Sequence, residues 1–289
     1  MKPNHTIQAH SSHVNKVLFT KDDSMLFSFG FSGELRCWNT TDWSLIREFE
    51  GHTETVNGGV EYNGNLITVS RDKKINFFEL DSGKLTDTVE DHKKGIDNIL
   101  MTADQKYLLT SGQDKMAVSR NMDGSLIASL KPTGKNLSIK TTTPDGKYVV
   151  VGGMGDQLHV FTIPELEPVA SFDAGKVAIS CVRCHPEKDL AWCLDYSGAL
   201  NVIDTKNWKV TDVVPLNRKG IIGLAYAPGR NELAITADKA VLLLDADSLE
   251  VKQELSSSAK GNYGVNYSHN NKLLALASAD KKVRIWELD

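Results

Sequence analysis

The sequence predicts an all-β protein, a seven-bladed β-propeller with four antiparallel strands per blade, and three observations support this prediction. A pattern of short alternating runs, ending in a large residue, recurs seven times along the 289 residues. Turn-forming residues separate these runs, as expected for strands joined by tight turns. No stretch of helical length repeats its apolar residues with a period of 3.6, which argues against an α-helical core.

The recurring large residue sets the period of the repeat. Its positions lie 40, 42, 41, 42, 41 and 42 residues apart, at Trp38, Phe78, Arg120, Phe161, Ile203, Leu244 and Trp286. Four short strands in a repeat of this length are typical of one propeller blade. A single blade cannot bury both of its faces, whereas neighbouring blades can bury them against each other.

Each repeat is predicted to hold its four strands in a fixed order. The first strand is an apolar run, and a turn rich in Asp, Asn, Gly and Pro leads to a second apolar run. The third strand lies directly before the large residue, and a polar hairpin connects it to the fourth. Predicted first strands include 14–19, 96–101, 179–184 and 221–226. Predicted second strands include 107–109 and 273–276, and predicted fourth strands include 45–49 and 251–255.

The two ends of the chain are predicted to meet in one blade. The seventh repeat ends after its third strand, at Asp289, and residues 4–9 precede the first repeat. We expect residues 4–9 to pair as the outer strand of the last blade and to close the ring, because this covers an open sheet edge. On this prediction residues 1–289 form one complete domain with no appended module.

Composition and charge bear on the cellular location of the chain and on the classes of partner to expect. The 33 Lys and Arg residues against 37 Asp and Glu residues give a net charge of −4, which offers no electrostatic reason to expect nucleic acid or a membrane surface as partner. The N-terminus lacks the apolar segment of a signal peptide, and no apolar run approaches the roughly 18 residues that span a bilayer. We therefore expect a soluble cytoplasmic protein, monomeric by itself, with four reduced cysteines.

Short motifs recur at both ends of the repeats. Repeats begin with Gly51-His52, Asp91-His92 and, more weakly, Ala9-His10, and end with 72–75, 114–117 and 280–287. With these motifs the chain resembles the WD-repeat (Trp-Asp repeat) β-propeller family over essentially its whole length. The last repeat is the most faithful, and the fourth to sixth rest mainly on register. The resemblance implies a structural role for these histidines, in a hydrogen-bonded set with a strand hydroxyl, the turn Asp and the Trp.

That set is incomplete in every repeat that carries part of it. Ser32 stands where the first repeat needs Asp, Phe78 and Arg120 replace Trp in the second and third, and Ser256-Ser257 replaces Gly-His in the last. We therefore expect the blades to depend more on apolar packing between them, at about 25 cal/mol per Å² of buried apolar surface.

Two basic residues occupy positions where the register expects apolar ones. Arg120 stands at the Trp position and Lys140 in a first strand. They could line a polar pocket between the third and fourth blades. We favour the alternative that both aliphatic stems lie along the sheet and extend their charged ends to water.

Three motifs that resemble chemical sites are better explained by the repeat. Cys181 to His185 matches the C-x-x-C-H pattern of haem attachment, but residues three apart on a strand point to opposite faces, and we interpret Cys184 as a small core residue. The glycines of 152–155 lack the Lys and hydroxyl of a phosphate loop. Asp245 and Asp247 lack the Gly and Glu of a calcium loop. We predict no catalytic residue, no cofactor and no metal.

The resemblance implies a platform that binds a partner and has no chemistry of its own. In such propellers the partner usually meets the face formed by the second-to-third-strand turns and the loops that lead into the first strands. Before those turns stand Phe31, Arg71, Gln113, Tyr196 and Ala279; at or near first-strand starts stand His13, Thr55, Gly95, Asn136 and Asn262. The predicted partner-binding residues are Phe31, Arg71, Gln113, Tyr196 and His13, because aromatic and Arg side chains suit interface hot spots.

Two other function classes are weaker. A metal-dependent propeller hydrolase of the lactonase type needs carboxylates or histidines from several blades around a metal on the ring axis, and only His13 on the predicted face is of that type. A nucleic-acid platform would need a basic stripe, which is absent from the sequence. The sequence therefore predicts a non-catalytic scaffold for a protein or peptide partner of unknown identity.

Overall fold

The computed structural model describes residues 1–132 and 137–289. In that part of the chain the regular structure is 28 β-strands and one 3-10 helix, Pro228–Arg230. The strands form seven antiparallel sheets of four strands each. This confirms the predicted all-β, seven-bladed propeller, and the sheets are called blades 1 to 7 in the chain order of their first strands.

The chain divides into two compact units, residues 1–88 with 218–289 and residues 89–217. Blades 1, 2, 6 and 7 belong to the first unit, except for the last residue of β9. Blade 1 consists of β2 Val14–Phe19, β3 Met25–Gly30, β4 Leu35–Asn39 and β5 Leu45–Glu48, and blade 2 of β6 Val56–Tyr62, β7 Asn65–Ser70, β8 Ile75–Glu79 and β9 Leu85–Val89. Blade 6 consists of β22 Leu224–Ala227, β23 Glu232–Ala237, β24 Ala240–Asp245 and β25 Val251–Ser256, and blade 7 of β26 Asn262–Tyr267, β27 Leu273–Ser278, β28 Lys282–Glu287 and β1 His5–Gln8.

Blades 3, 4 and 5 make up the second unit. Blade 3 consists of β10 Ile96–Met101, β11 Tyr107–Gly112, β12 Ala117–Asn121 and β13 Leu126–Leu130. Blade 4 consists of β14 Ser138–Thr142, β15 Tyr148–Gly152, β16 Gln157–Thr162 and β17 Pro168–Asp173, and blade 5 of β18 Ile179–Cys184, β19 Leu190–Asp195, β20 Ala199–Asp204 and β21 Lys209–Pro215. Each strand pairs with the one before and after it in its blade, as the repeat predicts.

The N-terminal strand completes blade 7, as the sequence predicted. β1 pairs antiparallel with β28, with His5 opposite Ile285 and Gln8 opposite Lys282. Ile7 and Ala9 are buried by this pairing. The pairing covers the edge that β28 would otherwise leave open. The further expectation of one domain over residues 1–289 stays a prediction.

Hydroxyl and carboxylate side chains build the turns between first and second strands. In blades 1, 3, 4 and 7 a Thr or Ser hydroxyl donates to an Asp or Asn oxygen two residues later, which holds the chain in a tight bend. The bonds are Thr20 to Asp22 (2.7 Å), Thr102 to Asp104 (2.7 Å), Thr143 to Asp145 (2.6 Å) and Ser268 to Asn270 (2.8 Å). The turn residues of these four blades therefore act through side-chain hydrogen bonds.

One predicted strand begins later than expected. The first strand of blade 6 was predicted over 221–226 and is found at Leu224–Ala227. The Thr236 hydroxyl accepts the N–H groups of Ile222 (3.3 Å) and Gly223 (2.8 Å). These backbone groups are thus bonded to a side chain instead of to a strand, and the ladder starts only at Leu224.

Apolar side chains from neighbouring blades form the core. Within the first unit, Val14, Trp38 and Ile285 pack together between blades 7 and 1, and Phe29 and Phe78 pack between blades 1 and 2. In the second unit, similar clusters join blade 3 to blade 4 and blade 4 to blade 5. This is the inter-blade packing that the incomplete hydrogen-bonded sets led us to expect.

Candidate functional site: an aromatic cluster of blades 1 and 7

In blades 1, 2, 3, 5 and 7 the residue before the second-to-third-strand turn is bonded to the loop that leads into the first strand of the same blade. The Phe31 N–H donates to the His13 carbonyl at 3.0 Å. The same bond joins Arg71 to Thr55 (3.0 Å), Gln113 to Gly95 (2.8 Å), Tyr196 to Ala178 (3.0 Å) and Ala279 to Gly261 (2.8 Å). The candidate residues therefore hold equivalent positions in their own blades. Asn136, the member expected from blade 4, lies outside the described residues.

His13 and Phe31 meet a third aromatic residue, Tyr263 of blade 7. The Phe31 and Tyr263 rings are stacked, with centroids 5.6 Å apart and planes 21° from parallel. The His13 ring lies 5.2 Å from Phe31 and 6.1 Å from Tyr263. All three side chains are half-buried, so part of each remains open to solvent. We call His13, Phe31 and Tyr263 the aromatic cluster.

A bulge in β26 directs Tyr263 toward blade 1. The register of β26 against β27 shifts between Asn262 and Gly264, which leaves Tyr263 as the extra residue, and a bulge re-aims its side chain. A Cβ atom at Gly264 would lie 3.0 Å from the Asn15 carbonyl oxygen and 3.1 Å from the Lys16 Cα. Glycine is needed there because it lets the first strands of blades 7 and 1 approach closely.

Tyr263 is not among the residues predicted from the sequence, which include its neighbour Asn262. Asn262 is buried and donates to the Ala237 carbonyl (2.7 Å) and the Ser257 hydroxyl (2.9 Å), so its role is structural. The available signal was the Tyr-Gly pair at the start of a first strand, because Gly in a strand often marks a bulge.

Arg71 is connected to the aromatic cluster through Thr55. The Thr55 hydroxyl donates to the Phe31 carbonyl at 3.0 Å, and the Thr55 carbonyl accepts from the Arg71 N–H. Thr55 is buried, whereas the Arg71 side chain is exposed. The structure thus brings together His13, Phe31 and Arg71, three of the five predicted residues.

Gln113 and Tyr196 belong to the second unit, in blades 3 and 5. The Gln113 side chain is exposed, and its Nε2 lies 3.4 Å from Asp97 Oδ1. Tyr196 is 59% exposed. Each residue holds the predicted position in its own blade, and their part in partner binding stays a prediction.

The histidines of blades 2 and 3 bind structural partners through both ring nitrogens. His52 Nδ1 lies 2.8 Å from Asp72 Oδ2, and its Nε2 lies 2.9 Å from the Thr68 hydroxyl. In blade 3, His92 Nδ1 lies 2.9 Å from Asp114 Oδ2, and its Nε2 lies 2.9 Å from the Thr110 hydroxyl. These rings are fully engaged in holding the blades, as the family resemblance implied.

A glutamate stands beside the histidine of blade 1. His10 Nε2 lies 2.8 Å from the Ser28 hydroxyl, which also accepts from the Trp38 indole at 2.9 Å. Glu34 stands 3.3 Å from His10 Nδ1, in the role that the sequence analysis looked for at Ser32. Burial lowers the pKa of His10 to about 4 despite the nearby Glu34 carboxylate, so the imidazole is neutral near pH 7.

Arg120 does not extend to water, contrary to the favoured interpretation. The residue is 1% exposed, and its two terminal nitrogens each lie 2.6 Å from one oxygen of Asp91. A third bond runs to the Gly124 carbonyl at 3.3 Å. The side chain lies in the interior of its own blade because both terminal nitrogens of the guanidinium pair with the Asp91 carboxylate.

Lys140 is also held by the protein. Its Nζ donates to the Ser180 carbonyl at 3.4 Å, and burial lowers its pKa. Since Ser180 belongs to the first strand of blade 5, Lys140 joins blades 4 and 5. Neither basic residue forms the polar pocket between blades 3 and 4 that was the other interpretation.

The Cys181–Cys184 part of the C-x-x-C-H pattern lies in β18, the first strand of blade 5, as predicted, and His185 follows the strand. Cys184 packs beside Val182 and Cys193 in the core between blades 4 and 5, and burial raises the pKa of its thiol to about 11. It is half-buried, so the interpretation as a core residue holds in part. All four cysteines are free thiols.

In residues 1–132 and 137–289 no three His, Cys, Asp or Glu side chains are grouped so that they could hold a metal ion. The same residues contain no helix that is both long and apolar enough to cross a membrane.

The chain is similar to several known proteins. A family model described as "WD domain, G-beta repeat" matches residues 1–39 and 255–287. The chain is 26% identical over 199 residues to U3 small nucleolar RNA-associated protein 12 of Saccharomyces cerevisiae, which covers 61% of this chain and 21% of that protein. It is 20% identical over 244 residues to Pre-mRNA-processing factor 17 of Homo sapiens, over 80% of this chain and 42% of that protein.

A third relative is closer to this chain in length. The chain is 21% identical over 234 residues to Target of rapamycin complex subunit LST8 of Mus musculus, over 76% of this chain and 72% of that protein. By contrast, the matched segment spans only between a fifth and about two fifths of the length of the other two relatives.

Proposed function

Because the chain belongs to the WD-repeat β-propellers, we propose that it is a non-catalytic scaffold that binds a protein or peptide partner on the aromatic cluster. The observation that carries the proposal is the stack of His13, Phe31 and Tyr263, half-buried at the ends of strands from two blades. One relative is named as a subunit of a complex, which agrees with a role in assembly.

The aromatic cluster has the physical properties of an interface anchor. The stacked rings hold each other in one geometry, so little side-chain entropy is lost when a partner binds. Tyr263 and His13 offer polar groups beside their apolar surfaces, which suits a partly wet contact. Arg71 adds directed hydrogen bonds next to the cluster, and such side chains dominate interface hot spots.

A catalytic role has no specific support. The ring nitrogens of His52 and His92 are occupied by structural partners. A hydrolase of the lactonase type needs several metal ligands converging from different blades, and the described residues contain no such group. We therefore propose a binding function without an enzymatic one.

Four further properties are part of the proposal. The chain acts as one domain over residues 1–289, is a monomer by itself, works in the cytoplasm, and has neither nucleic acid nor membrane as its partner. Cooperative unfolding in a single transition tests the first property, and sedimentation tests the second. A fluorescent fusion tests the location.

Affinity capture with matched variants tests the proposed site. The double variant Phe31→Ala/Tyr263→Ala should weaken a captured partner by about 2 kcal/mol or more, roughly thirtyfold, because it removes a hot spot. Leu45→Ala/Ile46→Ala is the matched control, since Leu45 and Ile46 are exposed on the outer strand of blade 1, and this variant should retain the partner.

Single variants divide the predicted residues between the two units. Arg71→Ala should weaken the partner, whereas Tyr196→Ala shows whether blade 5 contributes to the same contact. Thermal melting of each variant checks that the fold is intact. Full partner binding by the folded Phe31→Ala/Tyr263→Ala variant would refute the proposed site.

A further inference from the structure

We propose that the partner segment is acidic and carries an aromatic or large apolar side chain among its carboxylates. This inference rests on the proposed function, because it gives the chemistry of the ligand for the aromatic cluster. Three observations carry it: exposed cations on both sides of the cluster, neighbouring carboxylates that are already bonded within the protein, and an aromatic stack with limited free ring surface.

Exposed basic residues flank the cluster on the blade 2 side. Arg71 and Lys73 both project from the turn between β7 and β8 and are exposed. The position of this turn relative to Phe31 is set by the Thr55 hydroxyl, which donates to the Phe31 carbonyl at 3.0 Å. Two cations therefore stand beside the Phe31 edge of the cluster.

A second pair of cations stands on the blade 7 side. Lys260 and Lys281 are exposed and lie in the two loops that the Ala279-to-Gly261 backbone bond joins. A Cβ atom at Gly261 would lie 3.7 Å from the Tyr263 hydroxyl oxygen, so these loops reach the end of the tyrosine. An acidic segment that crosses the cluster would meet a cation on either side.

The carboxylates of the same loops are mostly engaged. Asp72 bonds to His52 and accepts the Thr53 N–H at 3.0 Å. Asp280 is held by two nitrogens of Arg284, at 3.0 Å and 2.5 Å.

Two further carboxylates complete the acidic side of this surface. Glu34 accepts the Ser11 N–H at 2.9 Å and lies beside His10. Glu54 is exposed and opposes part of the positive charge. Asp280 is paired with Arg284, and the exposed cations Arg71, Lys73, Lys260 and Lys281 outnumber Asp72, Glu34 and Glu54, so the surface favours a negatively charged ligand.

The geometry of the rings favours a peptide over a single-stranded nucleic acid. Nucleic-acid sites use open aromatic faces on which successive bases stack. Here Phe31 and Tyr263 stack against each other with centroids 5.6 Å apart, and His13 lies beside both rings. The remaining exposed edges suit one inserted side chain, with carboxylates placed toward the flanking cations.

Binding of short labelled peptides to the full chain, measured by fluorescence anisotropy, tests the inference. The probes are an acidic peptide with one central Trp, the same peptide with Ala for Trp, a peptide with Lys for its acids, and single-stranded RNA. The acidic Trp peptide should bind most tightly. Added salt should weaken it, because surface charges are screened.

Charge reversal locates the effect on this surface. Arg71→Glu/Lys73→Glu should weaken the acidic Trp peptide by about tenfold or more, because two favourable contacts become repulsive. Lys84→Glu/Lys272→Glu is the matched control, since both lysines are exposed at the other ends of blades 2 and 7, in the turn between β8 and β9 and the turn between β26 and β27, and it should change affinity by less than about twofold.

Specific outcomes would overturn the inference. It fails if the Lys peptide or the RNA binds as tightly as the acidic Trp peptide, or if Lys84→Glu/Lys272→Glu weakens binding as much as Arg71→Glu/Lys73→Glu. If a captured partner is lost with Phe31→Ala/Tyr263→Ala but kept with Arg71→Glu/Lys73→Glu, the proposed function stands and the acidic chemistry fails. If neither variant affects the partner, both fail.

Discussion

Replacing Asp91 by Ala will leave the guanidinium of Arg120 in the interior of blade 3 without its carboxylate. Both terminal nitrogens of Arg120 lose a partner at 2.6 Å, and the bond to the Gly124 carbonyl at 3.3 Å remains. A buried charge stripped of its partner is strongly destabilising, by about 3–5 kcal/mol in fully enclosed sites.

The expected loss is smaller here because water reaches one side of the pair. The Asp91 side chain is 40% exposed, against 1% for Arg120. Water can therefore enter the space that Asp91→Ala opens and solvate part of the guanidinium. We expect the free energy of unfolding to fall by about 2–3 kcal/mol, below the range for enclosed pairs.

A second substitution separates charge from packing. Arg120→Met removes the charge and keeps an unbranched side chain, at a position where Phe78 and Leu244 stand in other blades. The double variant Asp91→Ala/Arg120→Met should therefore be more stable than Asp91→Ala alone, because no buried charge remains unpaired.

Equilibrium urea unfolding, followed by circular dichroism, measures these differences through shifts of the midpoint at constant slope. Asp91→Asn is the shape-matched control, which keeps one oxygen acceptor and should lie between wild type and Asp91→Ala. The reasoning is refuted if Asp91→Ala changes stability by less than about 0.5 kcal/mol. It is also refuted if the losses of the single variants simply add in the double variant.

Three further predictions follow from single features of the fold. Deleting residues 1–9 should expose the edge of β28 and cause aggregation or a marked loss of melting temperature, and an unchanged monomeric protein would contradict this. The free energy of unfolding should fall as pH is lowered from about 6.5 to about 4, because the buried His10 has a pKa of about 4 in the fold against 6.5 ordinarily. In this window the unfolded chain binds the proton more readily than the folded one. His10→Gln should make the free energy of unfolding less dependent on pH, as measured by urea titrations at several pH values. Cys184→Ala should lower the free energy of unfolding by about 1 kcal/mol through lost packing, and the purified protein should show no haem absorption band.

The sequence predicted the strands and their order because the responsible interactions are local. Alternation along a strand and hydroxyl-carboxylate turns act within a few residues. The first strand predicted over 14–19 is therefore found at Val14–Phe19. Closure by β1 was also predictable, since the last repeat lacked an outer strand and the first residues had no other place.

The misjudged residues depend on contacts between segments. The prediction that Arg120 extends to water followed from its position in the strand alone. Its partner Asp91 lies 29 residues earlier, at the position that Gly51 holds in blade 2. Glu34 replaces the turn Asp because its longer side chain reaches His10 from two residues beyond Ser32.

The candidate site was found only in part for the same reason. His13, Phe31 and Arg71 follow from the register of the repeat. Tyr263 depends on a backbone shift between β26 and β27, which the Tyr-Gly pair signals without showing which neighbour the side chain meets. The aromatic cluster therefore emerges only when the strands are paired and blades 7 and 1 are placed side by side.

Site-specific photo-crosslinking tests the central claim most directly. The photoreactive residue benzoylphenylalanine is placed at Phe31 in one variant and at Leu45 in another, which is 45% exposed on the outer strand of the same blade. If the aromatic cluster binds the partner, the first variant forms a covalent adduct with a captured protein and the second does not. An adduct from the Leu45 position alone, with the partner still bound to both variants, would contradict the account.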